Sequence, residues 1–366
     1  MSILRLAHRW AGGLVGLFLA ILGLSGAMLV HKDDWLRVTT PHAADAQMQD
    51  TVTLAAAVQR IFEDPDRPRS IVLASERLGL HRLSYVDKER GAYADQTGEI
   101  VVQWSSKWER LEIWLFDLHH YLLVGDTGKF VAGALGLAGL AFVITGVILW
   151  WPTRRLFTFS LWPAKMSRAA VVRQHRDLGV VVAPILFVSL LTGVAMTLPK
   201  VEELMLAPFS SAAAMEASQG APKTKGGPLA ANLDWRKLLD ATRAQYPDAE
   251  IRSIGLPTKP GGLISVRLRQ QAEWLPNGRT MFWFDPATGG QVATRNAQTL
   301  PTGLRVANLE YPIHAAKVGG LPYRLVMTLS GLALALLGSL AVYTFWANPK
   351  FQKRKRRVRE PQTTAA

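Results

Sequence analysis

The chain has 366 residues, of which 49% are hydrophobic, and a formal net charge of +14 at pH 7. It contains no cysteine, which excludes disulfides, iron–sulfur clusters, thiolate zinc sites and the C-x-x-C-H attachment of c-type haem. The hydrophobic residues lie in blocks rather than being spread evenly, which argues against a purely soluble protein.

Four apolar runs are long enough to cross a bilayer, whose hydrocarbon core takes about 20 helical residues. They are Ala11–Val30, Phe130–Trp151, Leu178–Leu198 and Leu325–Trp346. The first run is longer than the apolar core of a signal peptide, about 7–15 residues, and shows no clear cleavage site. We therefore predict a retained membrane helix there, and an α-helical membrane protein with a four-helix transmembrane bundle.

Basic residues concentrate in three short segments beside these runs. Of the 42 Lys and Arg residues, 15 lie before the first run, in the loop 151–176 or after Trp346. The long segments 31–129 and 199–324 carry the other 27, balanced by 26 acidic residues. Because short basic loops stay cytoplasmic, we predict a multi-pass inner-membrane protein with cytoplasmic termini and two periplasmic segments. The tail is predicted to meet anionic lipid rather than nucleic acid.

The order of elements recurs along the chain, which predicts an internal tandem duplication. After the first run, LAAAVQRIF precedes RSIVLA, LHRLSYVD and AYADQTGEIVV. After the third, WRKLLDATRAQY precedes AEIRSIGL, LISVRLRQQ and MFWFDPATGGQVA. Alternating apolar and polar residues in these pieces are typical of antiparallel strands. We therefore predict two small periplasmic α+β domains, one in each half.

These elements define the predicted domain boundaries. The membrane helices are placed at 1–30, 128–152, 176–198 and 321–347, the periplasmic domains at 31–127 and 199–320, the cytoplasmic loop at 153–175 and the basic cytoplasmic tail at 348–366. Within the second domain, residues 200–227 are of low complexity and are predicted to be a mobile linker.

Four histidines occupy matching positions in the two halves. His8 and His175 each precede an apolar run, and His119 and His314 each precede the next one. Hydroxyl–glycine pairs recur with them: Ser25–Gly26 and Thr192–Gly193 each follow an inner histidine by 17 and 18 residues. Four ionisable residues in register are more than a chance set of interfacial side chains, and indicate an ion path, a proton relay or a cofactor.

The placement of the histidines favours a cofactor. Two imidazoles that face each other across a helix bundle suit a planar macrocycle held by bis-His ligation. Zinc fits less well, because no histidine pair has the H-x-x-x-H or H-E-x-x-H spacing. Glycines in the apolar runs would let a flat ring approach, or would simply pack helices together. They are Gly12, Gly13, Gly16, Gly133, Gly136, Gly139 and Gly179.

Other polar residues near the runs are secondary candidates. His31 at the outer end of the first run and His120 beside His119 are reserve ligands. Arg9 and Arg176 are expected to pair with anionic propionates or to act only as topology charges. The remaining histidines, His42 and His81, are predicted to be solvent-exposed.

The chain resembles the PepSY-associated transmembrane proteins over nearly its whole length. The resemblance is carried by HRWAG…LSGAML, DLHHYLLVGDTG…TGVILWWP, QHRDLG…LTGVAM and PIHAAKVGG, together with the D-x-TG and D-x-x-TG turns of the two PepSY-like modules. One departure lies in the last run, where LLGSLAVY stands in place of FVITGVIL.

The resemblance implies an iron-regulated inner-membrane protein of ferric-siderophore uptake. By that resemblance, His8, His175, His119 and His314 are the axial ligands of two haem b groups. The implied activity is reduction of a periplasmic ferric siderophore or other iron chelate, with electrons from an external donor, a quinol or a partner protein. Two alternatives remain from the sequence: a non-enzymatic PepSY binding protein, and a transporter subunit whose histidines relay protons.

Overall fold

The computed structural model describes residues 2–346, so the basic tail predicted at 348–366 lies outside the described residues. The helices are α1 (Ser2–Val30), α2 (Lys32–Thr39), α3 (Thr51–Glu63), α4 (Leu111–Tyr121), α5 (Gly125–Trp150), α6 (Arg168–Thr197), α7 (Pro199–Leu206), α8 (Ala212–Gln219), α9 (Trp235–Gln245), α10 (Thr302–His314) and α11 (Gly320–Trp346). The strands are β1 (Ser70–Val72), β2 (His81–Ser84), β3 (Gly91–Ala94), β4 (Ile100–Trp104), β5 (Glu250–Gly255), β6 (Ile264–Arg269), β7 (Thr280–Phe284) and β8 (Gln291–Arg295).

The chain divides into two compact units. Among the described residues, the first, the helical unit, contains 2–29, Leu118–Leu198 and 321–346. The second, the sheet unit, contains Val30–Asp117 and Pro199–Gly320. Each unit is therefore assembled from stretches that are far apart in the sequence.

The helical unit contains four helices that are long and apolar enough to cross a membrane, α1, α5, α6 and α11. Each predicted apolar run coincides with one of them, which confirms the prediction of a multi-pass membrane protein. With a rise of about 1.5 Å per residue, helices of this length exceed the bilayer core of about 30 Å.

Glycines let these helices approach closely. A Cβ atom on Gly16 of α1 would lie 2.8 Å from the carbonyl oxygen of Gly338 on α11. On Gly136 of α5 it would lie 2.6 Å from Cγ2 of Val194 on α6. These glycines, two of those considered for a flat ring, therefore serve helix packing, as small residues commonly do between membrane helices.

The sheet unit contains one eight-stranded antiparallel sheet in the order β4-β3-β2-β1-β5-β6-β7-β8. The sequence predicts two separate modules, but strand β1 of the first pairs with β5 of the second, with Ile71 opposite Ile254. Both isoleucines are fully buried. Pairing the first strands removes two exposed sheet edges, which explains why the two modules join. Since strands from both segments share one sheet, both segments lie on the same side of a membrane.

One face of the sheet holds the main hydrophobic core. In β6, Ile264, Val266 and Leu268 are buried and pack with the apolar residues of α3 and α9. Because side chains alternate along a strand, Arg267 and Arg269 lie on the opposite face. The sheet therefore has an apolar face covered by two helices and a second face that carries arginines.

The stretch 200–227 differs from the mobile linker that the sequence predicts. It contains α8 and most of α7. The Ser211 side chain caps α8 by accepting a hydrogen bond from the Ala214 amide, and Met215 packs against Leu206 and Leu304. Capping and burial of these side chains supply the order that composition alone does not indicate.

The prediction that His81 is solvent-exposed is wrong, because its side chain is completely buried in β2. Its Nδ1 atom accepts a hydrogen bond from the Ala74 amide at 2.9 Å. Burial lowers the pKa of His81 to about 4, although the charge of Asp95 acts in the opposite direction. His42, the other histidine predicted to be solvent-exposed, is exposed and pairs with Asp45.

We expect His81 to make the protein less stable in acid. The folded state holds this imidazole neutral down to about pH 4, whereas the unfolded chain takes up the proton near pH 6.5. The free energy of unfolding should therefore fall as the pH drops from 6.5 to 4, by about 3 kcal/mol in total. Thermal unfolding between pH 7 and 4.5 measures this as a difference: wild type should lose stability relative to His81→Gln, which keeps an acceptor for Ala74, as the pH drops. Parallel pH profiles of the two proteins would contradict the expectation.

Candidate functional site

Two of the predicted ligands, His8 and His175, face each other in the helical unit. Their ring centroids are 6.4 Å apart, and their ring planes are almost perpendicular at 87°. His8 comes from the first part of α1 and His175 from the first part of α6, and both side chains are half-buried. The structure thus brings together two residues that lie 167 positions apart in the sequence.

A threonine on a third helix holds one of these imidazoles. The Nδ1 atom of His8 lies 2.8 Å from Oγ1 of Thr145 on α5. Because Nδ1 is engaged by Thr145, Nε2 is the nitrogen of His8 that a metal ion would use. His175 lies close to the backbone of Leu337 on α11. All four apolar helices therefore contribute to the pair.

The separation of the two rings suits one metal ion between them. With metal–nitrogen bonds of about 2 Å and about 1.1 Å from nitrogen to ring centre, two imidazoles on opposite sides of one ion have centroids about 6 Å apart. Two imidazole donors at this separation fit the haem that the sequence predicts.

A second histidine, His119, is held near the other end of α1. Its Nδ1 atom lies 3.0 Å from Oγ of Ser25, and its ring lies against Gly26, where a Cβ atom would come within 2.9 Å of Cε1. Ser25 is 17 residues from His8, about 26 Å along a helix. The helical unit therefore holds His8 and His119 at positions that are well separated along α1.

The binding positions of His8 and His119, which we call histidine seats, are built in the same way. In each, a hydroxyl residue is within hydrogen-bond distance of Nδ1 of the histidine and a glycine follows it: Thr145–Gly146 for His8, and Ser25–Gly26 for His119. Only Gly26 is required to leave room for the ring, because a Cβ atom on Gly146 would lie 3.8 Å from Cε1 of His8, an ordinary contact. The sequence showed both pairs but only as marks of family and repeat, and their role as histidine seats was missed. The signal was a hydroxyl–glycine pair inside an apolar helix, although such hydroxyls also bond their own backbone, as Thr145 and Ser25 do here.

We expect Gly26→Ala to displace the His119 ring, because the added Cβ atom would overlap Cε1. Forcing a side chain out of a packed site costs about 1–3 kcal/mol, so the thermal unfolding temperature should fall. Gly179→Ala is the matched control, since it makes the same change in a membrane helix with no atom within 4 Å. Higher helix propensity predicts no loss of stability for the control. Equal unfolding temperatures for the two variants would contradict this description of the seat.

The remaining predicted ligands lie elsewhere. His314 is the last residue of α10, in the sheet unit. His31 precedes α2, also in the sheet unit, and its Nδ1 lies 3.1 Å from Asp34. His120 packs edge-on against Tyr121, with ring centroids 4.5 Å apart.

The two predicted propionate partners differ from each other. Arg9 is exposed. Arg176 is engaged by its neighbour, donating from Nε to Asp177 at 2.7 Å, and it also donates to the Leu156 carbonyl at 2.8 Å. Asp177 is completely buried, so the Arg176 guanidinium compensates a buried carboxylate. Arg176 therefore has a structural role that the sequence did not indicate.

Within residues 2–346, no group of three or more His, Asp or Glu side chains is placed to hold a metal ion. Axial ligation of a haem needs only two side chains for each iron, because the macrocycle supplies the other four ligands. The His8–His175 pair thus matches the demand of a haem and not that of a four-ligand zinc site.

Comparison with known proteins gives one family match. The model of a family described as a PepSY-associated TM region matches residues 5–348. The match covers the four apolar helices and both parts of the sheet unit. No curated protein matches the chain.

Proposed function

Since the chain belongs to the PepSY-associated TM family, we propose that this membrane protein binds haem b and reduces a periplasmic ferric siderophore or other iron chelate. The observation that carries the proposal is the His8–His175 pair, two imidazoles 6.4 Å apart between membrane helices. Released Fe(II) would then be available for uptake, since hard oxygen donors hold Fe(II) more weakly than Fe(III).

The first proposed haem site, between α1 and α6, would be held by His8 and His175 as axial ligands. When bound, a haem supplies one-electron redox chemistry to the protein. Thr145 would fix the ring orientation of His8 and leave its Nε2 for the iron, as outer partners of metal-binding histidines do. The apolar side chains of the surrounding helices would keep water from the site.

A second haem is proposed at His119, with His314 as its partner by the repeat in the sequence. The hydrogen bond between His119 and Ser25, whose hydroxyl donates to the Ile21 carbonyl and accepts from the imidazole, supports this assignment, because it repeats the arrangement of His8 with Thr145. His31 and His120 remain reserve ligands. Arg9 stays a candidate for a propionate, while the candidacy of Arg176 is weakened by its ion pair with Asp177.

The electron donor would be external, a quinol or a partner protein, because the chain shows no nucleotide-binding fingerprint between a strand and a helix. The basic segments beside the membrane helices support cytoplasmic termini in a bacterial inner membrane, which would place the sheet unit in the periplasm. The chelate would therefore meet the protein on the side of the sheet unit.

The proposal includes a tandem duplication and a four-helix transmembrane bundle. The sheet order supports the duplication, because β1 to β4 and β5 to β8 form two four-stranded meanders that meet at their first strands. Contacts of α1 with α11 and of α5 with α6 support the bundle.

An absorbance spectrum tests the haem proposal. The protein, purified in detergent from cells supplied with haem precursor, should show a Soret band that shifts on dithionite reduction, and a ferric chelate should reoxidise it. A folded but colourless preparation would overturn the proposal. It would favour the alternatives, a binding protein without enzymatic activity or a transporter subunit with proton-relay histidines.

A further inference from the structure

Three arginines gather on the sheet face opposite the main core. Arg267 of β6 is paired in register with Met281 of β7, and Met281 with Arg295 of β8. Residues opposite each other in paired strands share one face of the sheet. Arg279 lies two positions before Met281, so its side chain is on that face as well.

These guanidinium groups have weak or neutral partners. The Nε atom of Arg267 donates to the Met281 sulfur at 3.4 Å, and a thioether is a weak acceptor. Arg279 donates to the amide oxygen of Asn308 at 2.7 Å. Arg295 donates to the Gln219 carbonyl at 2.7 Å, while its buried Nε atom has no hydrogen-bond partner. In the described part of the chain, none of the three arginines forms an ion pair.

Two carboxylates, Glu273 and Glu310, interact electrostatically with this cluster, and neither forms an ion pair with it within the described residues. Glu273 accepts hydrogen bonds from the backbone amides of Gln270 and Arg279. Burial raises the pKa of this Glu273 carboxyl. Its role is therefore to hold the loop before β7, and it cannot neutralise three positive charges.

The cluster carries an electrostatic cost. Burial, and then the positive charge of Arg279, lower the pKa of Arg267. The pKa of Arg295 is lowered by burial and by the charges of both other arginines. Like charges held together in a half-buried place destabilise the fold unless something of opposite charge joins them.

We propose that Arg267, Arg279 and Arg295 form a binding site for an oxyanion, the carboxylate or phosphate group of a small molecule. Guanidinium groups bind these groups with paired, charge-assisted hydrogen bonds. The Arg295 guanidinium carbon lies 5.1 Å from the centre of the Trp283 ring, which helps to hold this arginine in place. The site requires no haem, so the inference stands apart from the proposed function.

Thermal unfolding of the full-length protein in detergent tests the site. In a buffer free of carboxylate and phosphate, sodium citrate and sodium phosphate are titrated separately, with sodium chloride at equal ionic strength as reference. A bound anion stabilises the folded state by mass action, so citrate, phosphate or both should raise the unfolding temperature beyond the chloride reference. Citrate alone identifies a carboxylate ligand, and phosphate alone a phosphate ligand.

Single arginine substitutions test whether the anion binds at this cluster. Arg267→Gln and Arg295→Gln should each weaken the apparent anion affinity at least tenfold. Arg236→Gln is the matched control: it removes the same charge from an exposed residue of α9, which covers the other face of the sheet, and should keep the full response. If a glutamine variant fails to fold, Arg267→Lys replaces it. This variant keeps the positive charge but loses the paired N–H donors of the guanidinium group, so the anion should raise its unfolding temperature less than that of wild type.

Two results would overturn the proposal. One is the absence of any anion-specific rise in the wild-type unfolding temperature. The other is an equal rise in Arg267→Gln and in Arg236→Gln. Because the measurement does not depend on colour or reduction, a colourless protein that binds citrate would refute the haem proposal and leave this site intact.

Discussion

His175→Ala is expected to remove the haem that we propose between α1 and α6, and His8→Ala should have the same effect. The two ring centroids lie 6.4 Å apart, which matches the separation expected when two imidazoles bind one iron. A single remaining histidine cannot supply two axial ligands. With two haems in the protein, either variant should lose about half of the Soret absorbance per protein.

The remaining absorbance separates one site from two. His119→Ala should also remove about half, and the double variant His8→Ala/His119→Ala should remove all of it. Complete loss in either single variant would indicate one shared site. Full retention in both His8→Ala and His175→Ala would refute the assignment of this pair.

Thr145→Val should reduce haem content less than these histidine variants do. It keeps both ligands and the shape of the side chain but removes the hydroxyl that bonds Nδ1 of His8. Loss of such an outer partner typically weakens metal binding by about 10–100-fold, so haem content should fall only when haem is limiting. Thr145→Ser, which restores a hydroxyl, should recover the wild-type content.

Glu310→Gln is expected to stabilise the protein at neutral and alkaline pH. Glu310 lies in α10 with 5% of its surface exposed, and its Oε1 atom has no hydrogen-bond partner in the described structure. Burial, and then the negative charge of Glu202, raise the pKa of Glu310 to about 7, against the opposing charge of Arg279. A buried carboxyl of this kind folds most favourably when it carries its proton.

The pH range of the effect follows from the two states of the chain. Between pH 4.5 and 7 the folded protein holds the proton on Glu310, whereas the unfolded chain releases it. The free energy of unfolding therefore falls as the pH rises through this range, by about 3 kcal/mol in total. Glutamine is neutral at all pH values, so the stability gain of Glu310→Gln over wild type should grow from pH 4.5 to 8.

Thermal unfolding at several pH values measures this gain. Glu203→Gln is a suitable control, because Glu203 is exposed and pairs with Lys200 at the surface. Its unfolding temperature should follow wild type at every pH. A constant difference between Glu310→Gln and wild type from pH 4.5 to 8 would contradict the expectation. Since His81 acts with the opposite sign, wild type should show a flatter profile than either single variant.

Much of the fold could be predicted from periodicity. The four membrane helices follow from uninterrupted apolar runs, and strands such as β6 follow from strict alternation. The joining of the two modules could not be predicted, because strand patterns do not specify which edges will pair. The β1–β5 contact is decided by burial of Ile71 against Ile254 within one shared core.

The candidate site, like the fold, could be predicted only in part from the sequence. The recurring sequence pattern identified His8 and His175 as a candidate pair, and the structure places their ring centroids 6.4 Å apart. It could not identify Thr145 and Ser25 as their partners, since hydroxyl residues in membrane helices often only bond their own backbone. Both do so here as well as contacting a histidine. The burial of His81 was missed because a short strand gives little indication of which face is covered.

The pairing of β1 with β5 has a consequence for how the protein is made. The two strands are separated by about 180 residues, which a ribosome adds in about 10–40 s at the usual 5–20 residues per second. During that interval α5 and α6 must be inserted while the edge of β1 stays open, and an open edge is a template for wrong pairing. The nascent chain must therefore shield half a sheet until its second half arrives, and a fragment that ends before β5 would leave that edge exposed for good.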